Sequence, residues 1–343
     1  MTTVYFGTNR KPLPKNKPTN YGKTFSEDGI SNLLFGRVTV KNKHVKVETH
    51  SEKLTQLKDT NLTSEKSILG SSALFKEMHS VMQTNHTETI VFIHGYNVSF
   101  KDAMRAAATL SKEIFALNGN RQVNILAFSW PSDGSMKPWK AYSSDRRDAA
   151  ASSAAFARGI LKLTDFLQSM PKKDHCNQKI HLLAHSMGNY VLRNALQEII
   201  RQSDGHIPRI FDQIFLMAAD EDDDAFEFDH KLKLLPKLGR RVNIYFNRDD
   251  RAMSISDLTK GNPDRLGDDG PRLPFNVPGK VTQIDCTKVV EGITEHSYYI
   301  DEPSVVKDMV QVMEGLEPHE VTDRLFVDDR NRYIIEKCEV SYC

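Results

Sequence analysis

The sequence predicts an α/β fold in which helices cover both faces of a mostly parallel central sheet. From about residue 65, apolar segments of strand length alternate with amphipathic segments of helix length. The segment TIVFIHG has an unbroken apolar run that ends at a glycine, which is typical of a strand buried on both faces of a parallel sheet. FGRVTVK and HVKVETH instead alternate around a polar turn and predict an N-terminal antiparallel hairpin.

The individual elements follow from the same patterns in chain order. A strand over 3–6 precedes the Lys/Pro-rich stretch KPLPKNKP, which we expect to interrupt the structure, and then the hairpin. A helix over 71–83 is predicted because Leu74, Met78 and Met82 recur at helical spacing. The later predicted elements are strand TIVFIHG, helix 100–117, strand VNILAFSW, helix 145–170, strand KIHLLAH, helix 189–201, strand QIFLMAA, helix 226–238, strands RVNIYF and VTQIDCT, and helix 305–313.

The domain organisation predicted from these elements is a single domain with three parts. Residues 1–64 supply N-terminal strands and the hairpin, which join the sheet edge, and residues 65–316 form the core of alternating strands and helices. Residues 317–343 form a C-terminal tail that contains the strand-like segment YIIEKCEV. Because this tail carries no motif, we assign it no function; we expect its strand-like segment to cover an edge of the sheet.

Composition and charge exclude several classes of protein. The 46 Lys and Arg residues nearly balance the 45 Asp and Glu residues, so no overall field favours nucleic acid or an anionic membrane. The N-terminus lacks the pattern of a signal peptide and no apolar segment has the length of a membrane span, so we expect a cytoplasmic protein without an integral membrane segment. The scattered cysteines are expected to be free thiols: Cys176, Cys286, Cys338 and Cys343.

Ser186 lies at a predicted turn from a strand to a helix. The segment KIHLLAHSMGNYVLRNAL puts it between an apolar strand and an amphipathic helix, the order of the nucleophile elbow in the α/β-hydrolase fold. The usual G-x-S-x-G is here AHSMG, so that Ala184 replaces the first glycine. Small residues are needed because the serine backbone is strained and neighbouring elements approach closely. An ordinary helix-capping serine is the alternative interpretation.

Two backbone N–H groups are predicted to form an oxyanion hole. VFIHGYN ends an apolar strand in the type of turn that presents an N–H toward the reaction centre, and Tyr96 follows its glycine. The second donor is the N–H of Met187, directly after the serine. We interpret His94, in the same turn, as a structural histidine that holds the loop.

A serine hydroxyl needs an imidazole base and a carboxylate that orients the base. In this fold the chain order is serine, acid, histidine. His296 is the predicted base, because it follows the last predicted strand on a short loop before the final helix. Asp250 is the predicted acid, since it follows the strand RVNIYF directly; Asp249, one residue earlier, and Asp220, after the strand QIFLMAA, are the alternatives.

The acidic run DEDDD at residues 220–224 allows two interpretations. Clustered carboxylates bind hard cations such as calcium, but the spacing does not match an EF-hand loop. A solvated helix N-terminus, where acidic side chains offset the helix dipole, is the preferred interpretation. Asp220, at the end of its strand, could still border the pocket.

Eight segments in a fixed order along the chain carry a resemblance: VYFGTNRKP, FGRVTV, VFIHGYNVSF, AFSWPSDG, HLLAHSMGNYVL, LMAADEDDDAF, IYFNRDDRAM and HSYYI. Taken together, they resemble a known bacterial family, the alpha/beta hydrolases of unknown function (domain of unknown function 900). The resemblance extends over nearly the whole chain and implies serine hydrolase chemistry, with Ser186, Asp250 and His296 as its triad. Where the family commonly has Ala-Ala-Pro-Asp, this chain has Ala-Ala-Asp-Glu, which leaves the role of Asp220 open.

These residues together predict a serine hydrolase that cleaves a carboxylester, lipid ester or thioester through an acyl-enzyme intermediate. The expected partner is a small-molecule acyl substrate, and neither a metal nor an organic cofactor is required. The alternative is a non-catalytic binding or scaffold protein that has retained the fold, because a fold does not fix a function.

Overall fold

The computed structural model describes residues 1–50, 70–132, 138–250, 264–290 and 296–337. The helices are α1 (Gly70–Asn85), α2 (Phe100–Leu117), α3 (Pro138–Ser169), α4 (Gly188–Gln202), α5 (Leu266–Asp269), α6 (Tyr298–Asp301) and α7 (Pro303–Glu314). The strands are β1 (Thr2–Thr8), β2 (Arg10–Leu13), β3 (Asn20–Phe25), β4 (Leu34–Lys41), β5 (His44–His50), β6 (Glu88–Ile93), β7 (Val123–Ser129), β8 (Ile180–His185), β9 (Phe211–Met217), β10 (Gly239–Phe246), β11 (Val281–Asp285), β12 (Arg324–Val327) and β13 (Arg332–Ile335).

The described strands form an 11-stranded sheet and a separate two-stranded sheet of β2 and β3. The order of the large sheet is β12-β13-β11-β10-β9-β8-β6-β7-β1-β4-β5. Neighbouring strands are parallel from β13 through to β1, and antiparallel pairs occur only at the two ends of this order. This arrangement confirms the predicted mostly parallel sheet and the N-terminal hairpin, which is β4 and β5.

Strand β1 lies inside the sheet between β7 and β4, although it is the first strand of the chain. It runs parallel to β7, and Thr8 pairs with Ser129 at the end of the shared register. The carboxyl ends of parallel strands meet at one edge of a sheet, where ligands bind in open α/β folds. The residues that follow β1 therefore reach the same edge as those that follow β6 and β8.

The helices bury one apolar side each against the two faces of the sheet. One core contains Leu74 of α1, Phe156 of α3 and Val191 of α4. The core on the other face contains Leu110 of α2 and Met309 of α7. The sheet is thus covered on both faces, which explains why its central strands are unbroken apolar runs.

Two sequence predictions are wrong in detail. No helix covers 226–238; the described chain there consists of turns and one 3-10 turn, Leu235–Lys237. Pro236 lacks the N–H that a helix needs. The Lys231 ammonium also forms an ion pair of 2.8 Å with Asp222. The Lys/Pro-rich stretch does not only interrupt the structure, because Arg10–Leu13 forms β2 and pairs with β3.

The tail extends one end of the sheet. Strand β13 pairs in parallel with β11, and β12 pairs with β13 from outside, so the tail covers this edge as predicted. Cys176 and Cys286 are free thiols, whereas Cys338 and Cys343 lie outside the described residues. The boundaries between the three parts of the domain stay predictions.

The described helices include none with both the length and the apolar character of a membrane span.

Candidate active site

Ser186 occupies a sharp turn between β8 and α4. Its φ angle of +53° is in the left-handed region, which non-glycine residues rarely adopt. The turn is held by hydrogen bonds on both sides: the N–H of Ser186 donates to the Met217 carbonyl at 2.9 Å. The Asn189 side-chain amide donates to the carbonyls of Ser186 at 3.0 Å and Ala184 at 3.1 Å. Such strain persists only where the surroundings fix it, as at functional sites.

Two glycines allow the elements around the turn to approach each other. A Cβ on Gly188 would lie 2.6 Å from the Ile93 carbonyl oxygen and 2.8 Å from that of His94. A Cβ on Gly95 would lie 2.9 Å from the Ser186 Cβ. Side chains at these positions would push the helix and the loop away from the serine. The first turn of α4 and the loop after β6 therefore lie directly against Ser186.

The two predicted oxyanion donors lie at this contact. Met187 is fully buried, and within the described part of the chain its N–H has no hydrogen-bond partner. The N–H of the half-buried Tyr96 likewise has no partner among the described residues. A buried N–H without a partner costs free energy, so such groups are rare in native proteins. Both donors are free to bind an oxygen atom that develops negative charge.

His296 and Asp250 form a hydrogen bond of 2.7 Å between Nδ1 and Oδ2. The carboxylate of Asp250 is buried, while the His296 side chain keeps some exposure. Because Nδ1 donates to the carboxylate, the neutral imidazole presents Nε2 as a free base. Across the described structure, no hydrogen bond joins the Ser186 hydroxyl to His296. Such bonds are often long without substrate.

The other two candidate acids lie differently. Asp249 is exposed, and neither it nor Asp220 contacts His296 through a hydrogen bond in the described residues. Asp220 is buried beside the elbow, where its N–H donates to the Ser186 carbonyl at 3.2 Å. Its carboxylate accepts the Tyr142 hydroxyl, with both oxygens at 3.0 Å. Asp220 thus borders the site but is committed to other partners.

His185, directly before the serine, contacts the histidine loop and was missed by the sequence reasoning. Its Nε2 donates to the His296 carbonyl at 2.9 Å, and the two rings lie 4.7 Å apart. Burial, followed by the His296 charge, lowers the pKa of His185 well below its usual value, so the ring is a neutral donor. The sequence offered one signal for His185: it is a polar residue between an apolar strand and the predicted nucleophile.

Tyr298 fixes the same loop from the other side. Its hydroxyl donates to the Tyr245 carbonyl at 2.8 Å and accepts the Ala218 N–H at 2.8 Å. These contacts join the chain two residues after His296 to the ends of β9 and β10. The histidine is therefore held by the sheet although it lies far from Ser186 in the sequence.

The acidic run at 220–224 is an ion-pair cluster, and the predicted solvated helix N-terminus is wrong. The segment forms turns, and its buried or half-buried carboxylates, except that of Asp223, pair with cationic side chains of the described residues. The described residues contain no group of three side chains suited to a metal ion. Burial raises the pKa of Glu221 to about 7, with Arg193 opposing the shift. The pairs are Asp220 with Arg265 at 3.6 Å, Glu221 with Arg193 at 3.1 Å, Asp222 with Arg265 at 2.7 Å and Lys231 at 2.8 Å, and Asp224 with Lys231.

Comparison with known proteins places this chain in a family. A protein of Nostoc sp. described as uncharacterized is 23% identical in an alignment of length 291 that covers 65% of this chain and 73% of that protein. A solved structure titled "putative cell surface hydrolase", from Lactobacillus plantarum, is 14% identical, with a TM-score of 0.36 over 68% of this chain and 95% of that one. Residues 71–314 match the family described as alpha/beta hydrolase of unknown function. Since this match covers well over half of the chain, the protein belongs to that family, domain of unknown function 900.

Proposed function

We propose that this protein is a serine hydrolase that cleaves an ester-type substrate through an acyl-enzyme intermediate. Ser186 is the nucleophile, His296 the general base and Asp250 the acid that orients the base. The N–H groups of Tyr96 and Met187 bind the oxyanion. The substrate is a small carboxylester, lipid ester or thioester, and we propose a cytoplasmic location on the sequence grounds given above.

One observation carries this proposal: the 2.7 Å hydrogen bond from His296 to the buried Asp250, on the same sheet edge as a strained serine. A buried carboxylate beside Nδ1 fixes the imidazole tautomer that can accept a proton at Nε2. The unpaired N–H of the buried Met187 supports the same chemistry. A structural serine at the start of a helix would need neither feature.

The residues would divide the reaction into two steps. In the first, Ser186 Oγ attacks the acyl carbonyl carbon while His296 Nε2 takes the hydroxyl proton, and the imidazolium returns that proton to the leaving alcohol or thiol. In the second, His296 removes a proton from water, whose oxygen attacks the acyl carbon; the bond to Ser186 Oγ breaks, the imidazolium returns the proton to Oγ, and the carboxylic acid leaves. Each oxyanion donor contributes about 3 kcal/mol to transition states of this type.

The alternative is a binding or scaffold protein that retains the fold, and one observation favours it. Among the described residues the Ser186 hydroxyl and the His296 ring share no hydrogen bond, and the ring lies against His185 instead. A hydrolase would need His296 to approach Ser186 when substrate binds, which is common in enzymes of this class. Reactivity of the serine distinguishes the two functions.

The test is covalent labelling of the purified protein with a fluorophosphonate probe, followed by mass spectrometry of the labelled peptide. We expect one label on Ser186, none in Ser186→Ala, and full labelling in Ser203→Ala, a control at the far end of α4. Hydrolysis of p-nitrophenyl esters of rising acyl chain length then defines the substrate class. A wild-type protein that neither labels nor hydrolyses any of these esters is a scaffold, and the proposal fails.

A further inference from the structure

Arg10 is a buried cation at the carboxyl end of β1, and the proposed chemistry makes no use of it. It is 1% exposed and belongs to the N-terminal segment VYFGTNRKP. Because β1 runs parallel to β7, the chain delivers Arg10 to the edge of the sheet that carries Ser186. A buried guanidinium costs free energy unless its donors are paired, so its partners indicate its role.

The guanidinium reaches the loop that supplies an oxyanion donor. Its Nη2 donates to the Val98 carbonyl at 2.7 Å, while Nε donates to Ser129 Oγ at 2.9 Å and Nη1 to the Gly22 carbonyl at 3.1 Å. Burial lowers the pKa of Arg10 to about 9, and the charge of Asp145 opposes this shift. Arg10 therefore remains a cation. Its planar guanidinium donates to the loop, to β7 and to the N-terminal strands.

His94 connects Arg10 to the peptide that carries the oxyanion donor. Its Nε2 faces Arg10 Nη2 at 3.5 Å, and its Nδ1 lies 2.7 Å from the Gly95 carbonyl oxygen. Burial, followed by the Arg10 charge, lowers the pKa of His94 to about 3, so the ring is neutral. With a cation beside Nε2, the single ring proton belongs on Nδ1, where it donates to Gly95. Stacking on Trp130, at 5.2 Å and 10°, holds the ring plane.

The direction of the Tyr96 N–H follows from this contact. In a planar trans peptide the C=O and N–H groups point in opposite directions. The carbonyl of Gly95 and the N–H of Tyr96 belong to one peptide, so the hydrogen bond from His94 aims the Tyr96 N–H away from the His94 ring. Rotation of this peptide would break the hydrogen bond and move the donor.

The chain after Tyr96 is fixed by Asp145. Its carboxylate accepts the Asn97 N–H at 2.8 Å and the Ser132 hydroxyl at 2.7 Å. The Ser132 oxygen in turn accepts the Val98 N–H at 3.0 Å. Backbone groups on both sides of Tyr96 are thus committed to side chains, whereas the Tyr96 N–H has no partner among the described residues.

We propose that Arg10 is a positioning residue for the oxyanion hole: through His94 and the Val98 carbonyl it fixes the Gly95–Tyr96 peptide in the orientation that stabilises the transition state. This inference rests on the proposed function. It explains why the first strand is inserted next to β7 in parallel orientation, since an antiparallel strand would deliver its carboxyl end to the opposite edge.

The test compares Arg10→Gln with a matched control, Arg324→Gln. Arg324 is an equally buried guanidinium that pairs with Asp308 at 2.6 Å, on β12 at the other end of the sheet. We expect both variants to melt at lower temperature. Only Arg10→Gln should lose kcat per active site titrated with the fluorophosphonate, by about 10- to 100-fold, with KM nearly unchanged. Its affinity for a trifluoromethyl ketone should fall in proportion to kcat/KM.

A second measurement does not depend on turnover. Amide hydrogen exchange at Asn97 and Val98 should accelerate in Arg10→Gln but not in Arg324→Gln. Equal kcat and equal exchange in the two variants would overturn the inference. If the wild-type protein shows no serine reactivity, the proposed function fails, and the exchange result then decides whether Arg10 orders the loop. Should Arg10→Gln not fold, Arg10→Lys, which keeps the charge but loses the fork, takes its place with Arg324→Lys as control.

Discussion

Two neighbouring groups of polar residues lie at the carboxyl edge of the sheet. They differ in whether their buried polar groups have partners within the protein. The first group, named the catalytic cluster after its proposed role, is Ser186, His296 and Asp250 with the N–H groups of Tyr96 and Met187. In it, buried donors are left without partners in the described structure. The acidic cluster is residues 220–224 with Arg193, Arg265 and Lys231. There the carboxylates of Asp220, Glu221, Asp222 and Asp224 pair with those cations, whereas Asp223 forms no ion pair among the described residues.

The contrast shows that burial alone does not identify a functional group. Both clusters contain buried carboxylates, and a hydrogen bond from the Asp220 N–H to the Ser186 carbonyl joins them. Groups that are paired within the protein stabilise the fold, whereas donors and bases left open can bind a ligand. Substitutions in the catalytic cluster should therefore reduce turnover, and substitutions in the acidic cluster should reduce stability.

The largest effect is expected for Ser186→Ala. Turnover of a p-nitrophenyl ester should fall by roughly three to six orders of magnitude, because the nucleophile is lost while the oxyanion donors remain. The melting temperature should change little, since alanine needs the same backbone conformation as serine. Steady-state kinetics and thermal unfolding measure both. Ester hydrolysis at the wild-type rate in this variant would disprove the assignment of the nucleophile.

The next largest effect separates the three candidate acids. Asp250→Asn should reduce kcat by up to about four orders of magnitude, since an amide cannot hold the His296 tautomer or stabilise the imidazolium. Asp249→Asn should behave like wild type because this side chain is exposed. Asp220→Asn should lose stability and little turnover. If Asp220→Asn is the inactive variant and Asp250→Asn works normally, the acid lies in the acidic cluster instead.

Within the acidic cluster, Asp222→Asn is expected to lower the free energy of unfolding by about 3 kcal/mol, because it leaves the buried Arg265 without its 2.7 Å partner. The control is Asp229→Asn, which removes an exposed pair with Lys233 and should cost less than about 1 kcal/mol. Urea unfolding gives both values. A kcat loss above tenfold in folded Asp222→Asn would contradict the division between the clusters.

The smallest effect is a pH dependence. The pKa of Glu221 is raised to about 7 in the folded state, so between its unfolded value and 7 the folded protein keeps a proton that the unfolded chain releases. The stability contributed by this group is therefore lost as pH rises through that window. Within this pH window, the free energy of unfolding of Glu221→Gln should rise relative to wild type by about 1.4 kcal/mol per pH unit.

Urea unfolding of both proteins at pH 5, 6 and 7 measures this gain. The buried histidines are common to both proteins, so their titration cancels in the difference. A difference in unfolding free energy that stays flat between pH 5 and 7 would show that Glu221 is ionised throughout.

The sequence by itself determined most of the elements. Apolar residues recur at the positions of a helix or strand that pack on the core, so the pattern marks the element locally. The bounds of α2 and β8 were therefore predicted to within a residue. The elbow at Ser186 was predicted for the same reason, because strand, turn and helix are contiguous. The helix predicted over 226–238 does not form, because Lys231 pairs with a carboxylate of the acidic cluster instead of lying on a helical surface.

Only the tertiary structure decided which polar groups meet. The sequence favoured Asp250 as the acid but could not eliminate Asp249 and Asp220, because one residue of register reverses the direction of a side chain and the contact with His296 is long-range. It could not assign Arg10 either, since parallel pairing of β1 with β7 brings this residue to a loop 88 positions away. Periodicity reports the environment of each residue, whereas pairing depends on how separate elements are arranged in space.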